Sequence, residues 1–203
     1  MDNVESGGSP VDRDPQNAEI YNQIAEYRSK GEYRPGQAAV LYSKVPGQDG
    51  QEHIKFLLTR TTPRGDIVDT TNMWALHQGG IEEGQTLEDN LKNELKDELH
   101  ITEYDLNLQN TEYAVVPLTE IPYDKPRTNK RGGDEKGKVQ LTTAVEFTGA
   151  LNHLDNPSGD VAEAGWYGLD TALKLIDNAP NTSEAKKAFM KKSLQTVSEL
   201  RSK

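Results

Sequence analysis

The sequence contains no cysteine. Disulfides and thiolate metal sites are therefore excluded. Any bound metal must be held by carboxylates, imidazoles or carbonyls, a donor set that favours hard cations such as Mg²⁺ or Mn²⁺. A basic coat is also missing: 23 Lys and Arg stand against 33 Asp and Glu, for a formal net charge of −10. That balance argues against an extended nucleic-acid footprint. No run approaches the roughly 18 apolar residues of a membrane-spanning helix. The opening stretch, MDNVESGGSPVDRDPQN, carries neither the basic nor the apolar region of a secretory signal. The resulting expectation is a cytoplasmic protein without a membrane partner. Only 33% of the residues are hydrophobic, which assigns part of the length to solvated tail or loop. The 203 residues still suffice for one domain whose core needs no staples.

Residues 1–17 are polar and hold Gly7, Gly8, Pro10 and Pro15, so a disordered lead is expected before a domain spanning 18–203. Ile20, Tyr21, Ile24 and Tyr27 recur at helical spacing and predict a short amphipathic helix over 18–30. Strands are expected at 38–42 and 53–59, joined as a hairpin by the turn at 46–50. Further strands are expected at 112–118, 139–148 and 165–169, with a long charged loop over 123–138. Asp170 and Ser183 are candidate caps for two closing helices, 171–177 and 184–200. The order does not alternate regularly between strand and helix. The fold class expected is therefore α+β, a mixed β-sheet sandwiched between helices. Oligomeric state is not legible.

The informative segment is Gly79 to Ile101, GGIEEGQTLEDNLKNELKDELHI. Leu87, Leu91, Leu95 and Leu99 recur every fourth residue and predict a helix over 87–99, capped by Thr86 with Asp89 three residues on. At about 100° per residue, Glu94 and Glu98 project together beside the leucine band, and Asp97 lies on its outer edge. Like charges this close repel, and a divalent cation relieves the repulsion. The competing reading is a solvated acidic face neutralised by Lys92 and Lys96. A second cluster, Lys125, Arg127, Lys130, Arg131, Lys136 and Lys138, forms a basic island in an acidic chain. Cations beside a carboxylate metal site suit a polyphosphate; the competing reading is an ordinary surface loop.

The 79–101 segment resembles the Nudix box: Gly, five residues, Glu, seven residues, then Arg-Glu-aliphatic-any-Glu-Glu-any-Gly-aliphatic. Counting from Gly79, five residues lead to Gln85 and seven more to Asn93, and the metal-site acids fall on Glu94, Asp97 and Glu98. Four positions depart from the pattern: Gln85 for Glu, Asn93 for Arg, Asp97 for Glu and His100 for Gly. The Glu and Arg of the box typically form a salt bridge. Here both are amides, so the loss is compensated, with a Gln85–Asn93 hydrogen bond as its expected replacement. The similarity extends to Tyr33-Arg34-Pro35, Trp74-Ala75-Leu76-His77-Gln78-Gly79-Gly80-Ile81, Tyr123-Asp124-Lys125-Pro126, Gly137-Lys138-Val139-Gln140 and Glu163-Ala164-Gly165-Trp166. These resemble elements of bacterial RNA 5′-pyrophosphohydrolases and diadenosine polyphosphate hydrolases.

The resemblance implies a Nudix hydrolase that uses Mg²⁺ or Mn²⁺ to cleave a pyrophosphate bond, in a nucleotide or at the 5′ end of an RNA. It implies metal ligation by Gly79, Glu94, Asp97, Glu98 and Glu163, with Glu94, Glu98 or Glu163 as general base. Substrate contacts are expected from Arg34, Gln78, Lys125, Arg127, Lys130, Arg131 and Gln140. The alternative is a Nudix-like domain that binds nucleotides without turning them over, which the four departures favour.

Overall fold

The computed structural model describes residues 9–47, 50–62, 72–128, 134–154 and 161–202. Five helices are described: α1 (Pro10–Arg13), α2 (Ala18–Lys30), α3 (Leu87–Leu99), α4 (Leu169–Asp177) and α5 (Glu184–Arg201). The strands are β1 (Tyr33–Pro46), β2 (Glu52–Thr61), β3 (Trp74–Ala75), β4 (His77–Gly80), β5 (Leu106–Thr128), β6 (Asp134–Phe147) and β7 (Val161–Tyr167). They form one sheet along the path β3-β2-β1-β6-β5, with β4 added to β1 and β7 to β2. The β1–β6 pair is parallel and the other pairs are antiparallel, so the sheet is mixed as expected.

Strand β1 is buried on both faces from Pro35 to Ser43. Ala38, Val40 and Tyr42 join Phe56 and Leu58 under Ala172 and Ile176 of α4 and Phe189, Met190, Leu194 and Val197 of α5. Ala39 and Leu41 face the other way, under Leu91, Leu95 and Leu99 of α3. Tyr21 and Ile24 of α2 extend that second layer beside Leu87 and Leu141. Each fully buried leucine contributes roughly 1.5–3 kcal/mol, so the four-residue leucine stripe fixes which face of α3 meets the sheet. The remaining face, which carries the acids, is turned to the rim.

Several expectations are corrected. Residues 10–17, expected to be disordered, form α1 and a 3₁₀ turn; residues 1–8 lie outside the described part. The loop expected at 123–138 shrinks, because β5 runs to Thr128 and β6 begins at Asp134. Asp170 sits in the first turn of α4, and Gly168 is the N-cap. Ser183 does cap α5, accepting from the Lys186 N–H at 3.3 Å. Among the described residues no helix is long and apolar enough to cross a membrane.

Candidate active site

Helix α3 starts where its sequence dictates. The Thr86 hydroxyl accepts from the Asp89 N–H at 3.0 Å, and the Asp89 carboxylate accepts from the Thr86 N–H at 3.3 Å. The helix ends at His100, which takes the left-handed conformation at φ 55° and bonds through its N–H to the Leu95 and Lys96 carbonyls. Its backbone thus adopts the shape glycine prefers, at a strain cost of about 1–2 kcal/mol. A buried amide network locks α3 to the sheet. Asn90 donates to the Gln37 Oε1 at 2.9 Å, and Gln37 donates to the Leu87 carbonyl at 3.2 Å and to the Thr143 hydroxyl at 2.7 Å. Sequence reading missed Asn90; its only signal is a polar residue inside the leucine band.

The lock places Glu94 against β4. A Cβ built on Gly79 would stand 2.1 Å from the Glu94 Cδ, so the missing side chain of Gly79 is the space that the carboxylate fills. Glu94 is half-buried, and its carboxyl is pushed above the usual range by burial first, then by the charges of Glu98, Asp97 and Glu82, with Arg34 opposing. Glu82 was not anticipated. The Arg34 guanidinium lies over Gly80, 2.6 Å from where a Cβ on that glycine would stand. Gln140 donates to the Gln78 Oε1 at 3.1 Å, so these two expected substrate contacts are brought together.

The three box acids share one border of α3 but do not close on a point. Among the described residues no three His, Asp or Glu side chains converge as a finished ligand set. Like-charge repulsion separates carboxylates at such a border. The site still fits a hard cation on its own chemistry: oxygen donors alone, a carboxylate seated in a glycine cradle, and an excess of negative charge around it.

Other expected residues have different surroundings. The carboxylate of Glu163 is gripped by Arg60 across β2 and β7, with Nε and Nη2 at 3.0 and 2.8 Å. Lys136 is paired with Glu32 at 2.7 Å. Lys125 is exposed on β5. Lys130, Arg131 and the side chain of Arg127 fall outside the described part. The Gln85–Asn93 hydrogen bond is not formed, and Asn93 is exposed. Trp74 is core, and Trp166 packs on Phe147 with ring centroids 5.1 Å apart.

His77 proves to be part of the same wall. It is 4% exposed, with Nδ1 3.9 Å from the Glu98 Oε2 and an Nε2 that has no hydrogen-bond partner. The distance suggests an ion pair, but burial pulls the imidazole down to about 4 from 6.5, so it is neutral at pH 7. The folded state therefore holds fewer protons than the unfolded one once the pH drops below 6.5. Stability is full above that point and is lost as the pH falls towards 4, by roughly 3 kcal/mol for the metal-free protein. His77→Gln is expected to flatten this loss, as denaturant melts at about pH 7 and about pH 4.5 would register.

The NUDIX domain family model matches residues 33–190. The chain belongs to the Nudix family. Nudix proteins in general use divalent metals, in keeping with the donor set around Glu94. An RNA pyrophosphohydrolase from Sulfurovum sp. (strain NBC37-1) is 35% identical over 102 residues, covering 50% of this chain and 54% of that protein. One from Rhodopseudomonas palustris (strain HaA2) is 29% identical over 119 residues, covering 54% and 65%. The aligned part thus spans less than two thirds of each relative. A C. elegans Ap4A hydrolase binary complex superposes with a TM-score of 0.52 at 16% identity, over 83% of this chain and 98% of that one. The NUDIX domain of Shewanella oneidensis NrtR, complexed with ADP ribose, does so with 0.52 at 15% identity, over 87% and 97%. At such identities the likeness establishes the shared Nudix fold.

Proposed function

We propose that this Nudix protein is a divalent-metal-dependent hydrolase that cleaves a pyrophosphate bond in a nucleoside diphosphate linked to another group. The substrate class is a 5′-triphosphate RNA end or a dinucleoside polyphosphate. The observation that carries this reading is the seat of Glu94 against Gly79, with the charges of Glu98, Asp97 and Glu82 pressing on it. Mg²⁺ or Mn²⁺ held by Glu94, Asp97 and Glu98 would lower the pKa of a water and offset phosphate charge, the terms that dominate phosphoryl transfer. The protein's own part is to hold these acids at one rim and to keep one of them, Glu94 or Glu98, ready to take a proton. Arg34, beside that rim, is the guanidinium best placed to fork a phosphate. Gln78 and Gln140 are held next to it as neutral donors. The names carried by the relatives support the substrate class, and the net charge of −10 favours a short 5′ end or a small nucleotide over a long duplex.

The test is to offer the full chain triphosphate-ended RNA, diadenosine tetraphosphate and a nucleoside diphosphate sugar, each with Mg²⁺ or Mn²⁺. Divalent-dependent turnover of one of the first two is expected, and Glu98→Gln is expected to abolish it. Nucleotide binding without turnover under any of these conditions would establish the second reading, a non-catalytic nucleotide-binding domain. The neutral amides at Gln85 and Asn93, which make no hydrogen bond to each other, are what favour it.

A further inference from the structure

We propose that residues 9–28, which precede the family match at 33–190, form a clamp that positions the acidic helix, with Tyr21 as its buried anchor and Arg13 and Arg28 as its flanks. This builds on the hydrolase reading above.

Between Gly80 and α3 the chain runs through residues 81–86 without strand or helix, and Gly84 turns it at φ 83°. Backbone groups in such a stretch need partners from outside it. The N-terminal segment supplies them. Arg28 donates to the Ile81 carbonyl at 2.5 Å. Arg13 donates to the Gly84 carbonyl, and to the Asp89 carboxylate at 2.9 Å. The Leu87 N–H donates to the Tyr21 hydroxyl at 2.9 Å, and that hydroxyl donates to Asp14 at 2.7 Å. Three side chains from one short segment thus hold positions 81, 84, 87 and 89.

These contacts are not equal. Arg13 and Asp89 are each more than a third exposed, so their pairing is weak by itself. Tyr21 is 7% exposed and Leu87 is 0% exposed, so water cannot replace the bond between them. The Tyr21 ring also packs with Ile24, Ile81 and Leu141. The contacts of the three residues fall on positions 81–89, ahead of Glu94 on α3. Their influence passes through the first turn of α3, whose tilt decides whether Glu94 reaches the space left by Gly79. They are positioning residues.

The test uses the full chain and two variants. Tyr21→Phe keeps the ring and removes the hydroxyl; Arg13→Ala removes a surface side chain. Amide exchange across 81–90 is expected to speed up about tenfold in Tyr21→Phe and about twofold in Arg13→Ala, while α5 is unchanged. For Tyr21→Phe a fall in kcat of about fivefold or more is expected, with KM within about twofold; Arg13→Ala is expected to lower kcat about twofold, and Arg13→Lys to restore part of that. Unchanged exchange in 81–90 would overturn the clamp. Faster exchange with unchanged kcat would overturn its positioning role. If the parent chain cleaves none of the three substrates, the hydrolase reading falls and the exchange data judge the clamp alone.

Discussion

Gly79→Ala is expected to lower kcat about 100-fold while costing little stability. The new Cβ would stand 2.1 Å from the Glu94 Cδ and 2.4 Å from its Cγ and Oε1. Ordinary contact between such atoms needs about 3.5–4 Å, so one group must move. The three nearest atoms all belong to one flexible side chain, and the φ of Gly79 is not in the left-handed region, so alanine fits the backbone. Rotating Glu94 outward is cheaper than parting β4 from α3. The melt should therefore shift by no more than the lower end of the ~1–3 kcal/mol typical of overpacking. Turnover should suffer far more, because a displacement of about 1 Å at a reacting centre costs on the order of 10² in rate. Steady-state kinetics, Mn²⁺ titration followed by electron paramagnetic resonance and a thermal melt on the same sample separate the two effects. Full activity in Gly79→Ala would mean that Glu94 does not need its present seat.

The helix that carries the acids was legible because its signals are local. Four leucines at one spacing and a Thr–Asp cap place it over 87–99, the span that α3 occupies. The sequence pattern marks β5 only at 112–118, although the strand runs over Leu106–Thr128. It lies at the end of the sheet, where Pro117 and Pro122 interrupt no ladder on the open side, so prolines that argue against a central strand are harmless here. Strand β4, His-Gln-Gly-Gly, has no strand propensity. It exists because β1 offers it a partner, Gly36 to Gly80 through Ala39 to His77.

The site divides along the same line. That Glu94, Asp97 and Glu98 share a helix border follows from three short spacings. Which carboxylate is seated, which is paired and which residues support them depend on partners distant in sequence. Glu163 is expected as a metal ligand or general base from its place before a tryptophan, and in the structure Arg60, 103 positions away, donates to its carboxylate. Tyr21 read as a core residue of an amphipathic helix, and its hydroxyl reaches Leu87, 66 positions on. The basic cluster forms one island in the sequence, yet Lys136 is tied to Glu32 in the fold. Charge patterns announce a site, while the pairing of strands decides which charges remain for it.

Glu94→Gln is expected to remove activity and, without metal, to stabilise the protein at neutral pH. The sign follows from proton linkage. The folded carboxyl titrates above its ordinary 4.5, chiefly through burial and then through Glu98, Asp97 and Glu82. The folded state thus holds its proton more tightly than the unfolded chain. The stability that protonation confers is present below about 4.5 and is lost as the pH rises through the folded pKa. At pH 7 the ionised group is a cost, and a neutral amide of the same shape avoids it. This trend runs opposite to that of His77, so the comparison is made between parent and variant at each pH. In chelator the Tm of Glu94→Gln should exceed the parent's at neutral pH, with the gap closing in acid. Adding Mn²⁺ should raise the parent's Tm and leave the variant's nearly unchanged, because a ligand stabilises only the state that binds it. Loss of a charge that holds the cation should lower kcat by about 10³-fold, equivalent to the several kcal/mol that the cation's charge supplies. A variant that is less stable than the parent at pH 7 in chelator would mean that Glu94 is a structural acid. The same residue then could not be the one that nucleotide chemistry keeps in an unfavourable place.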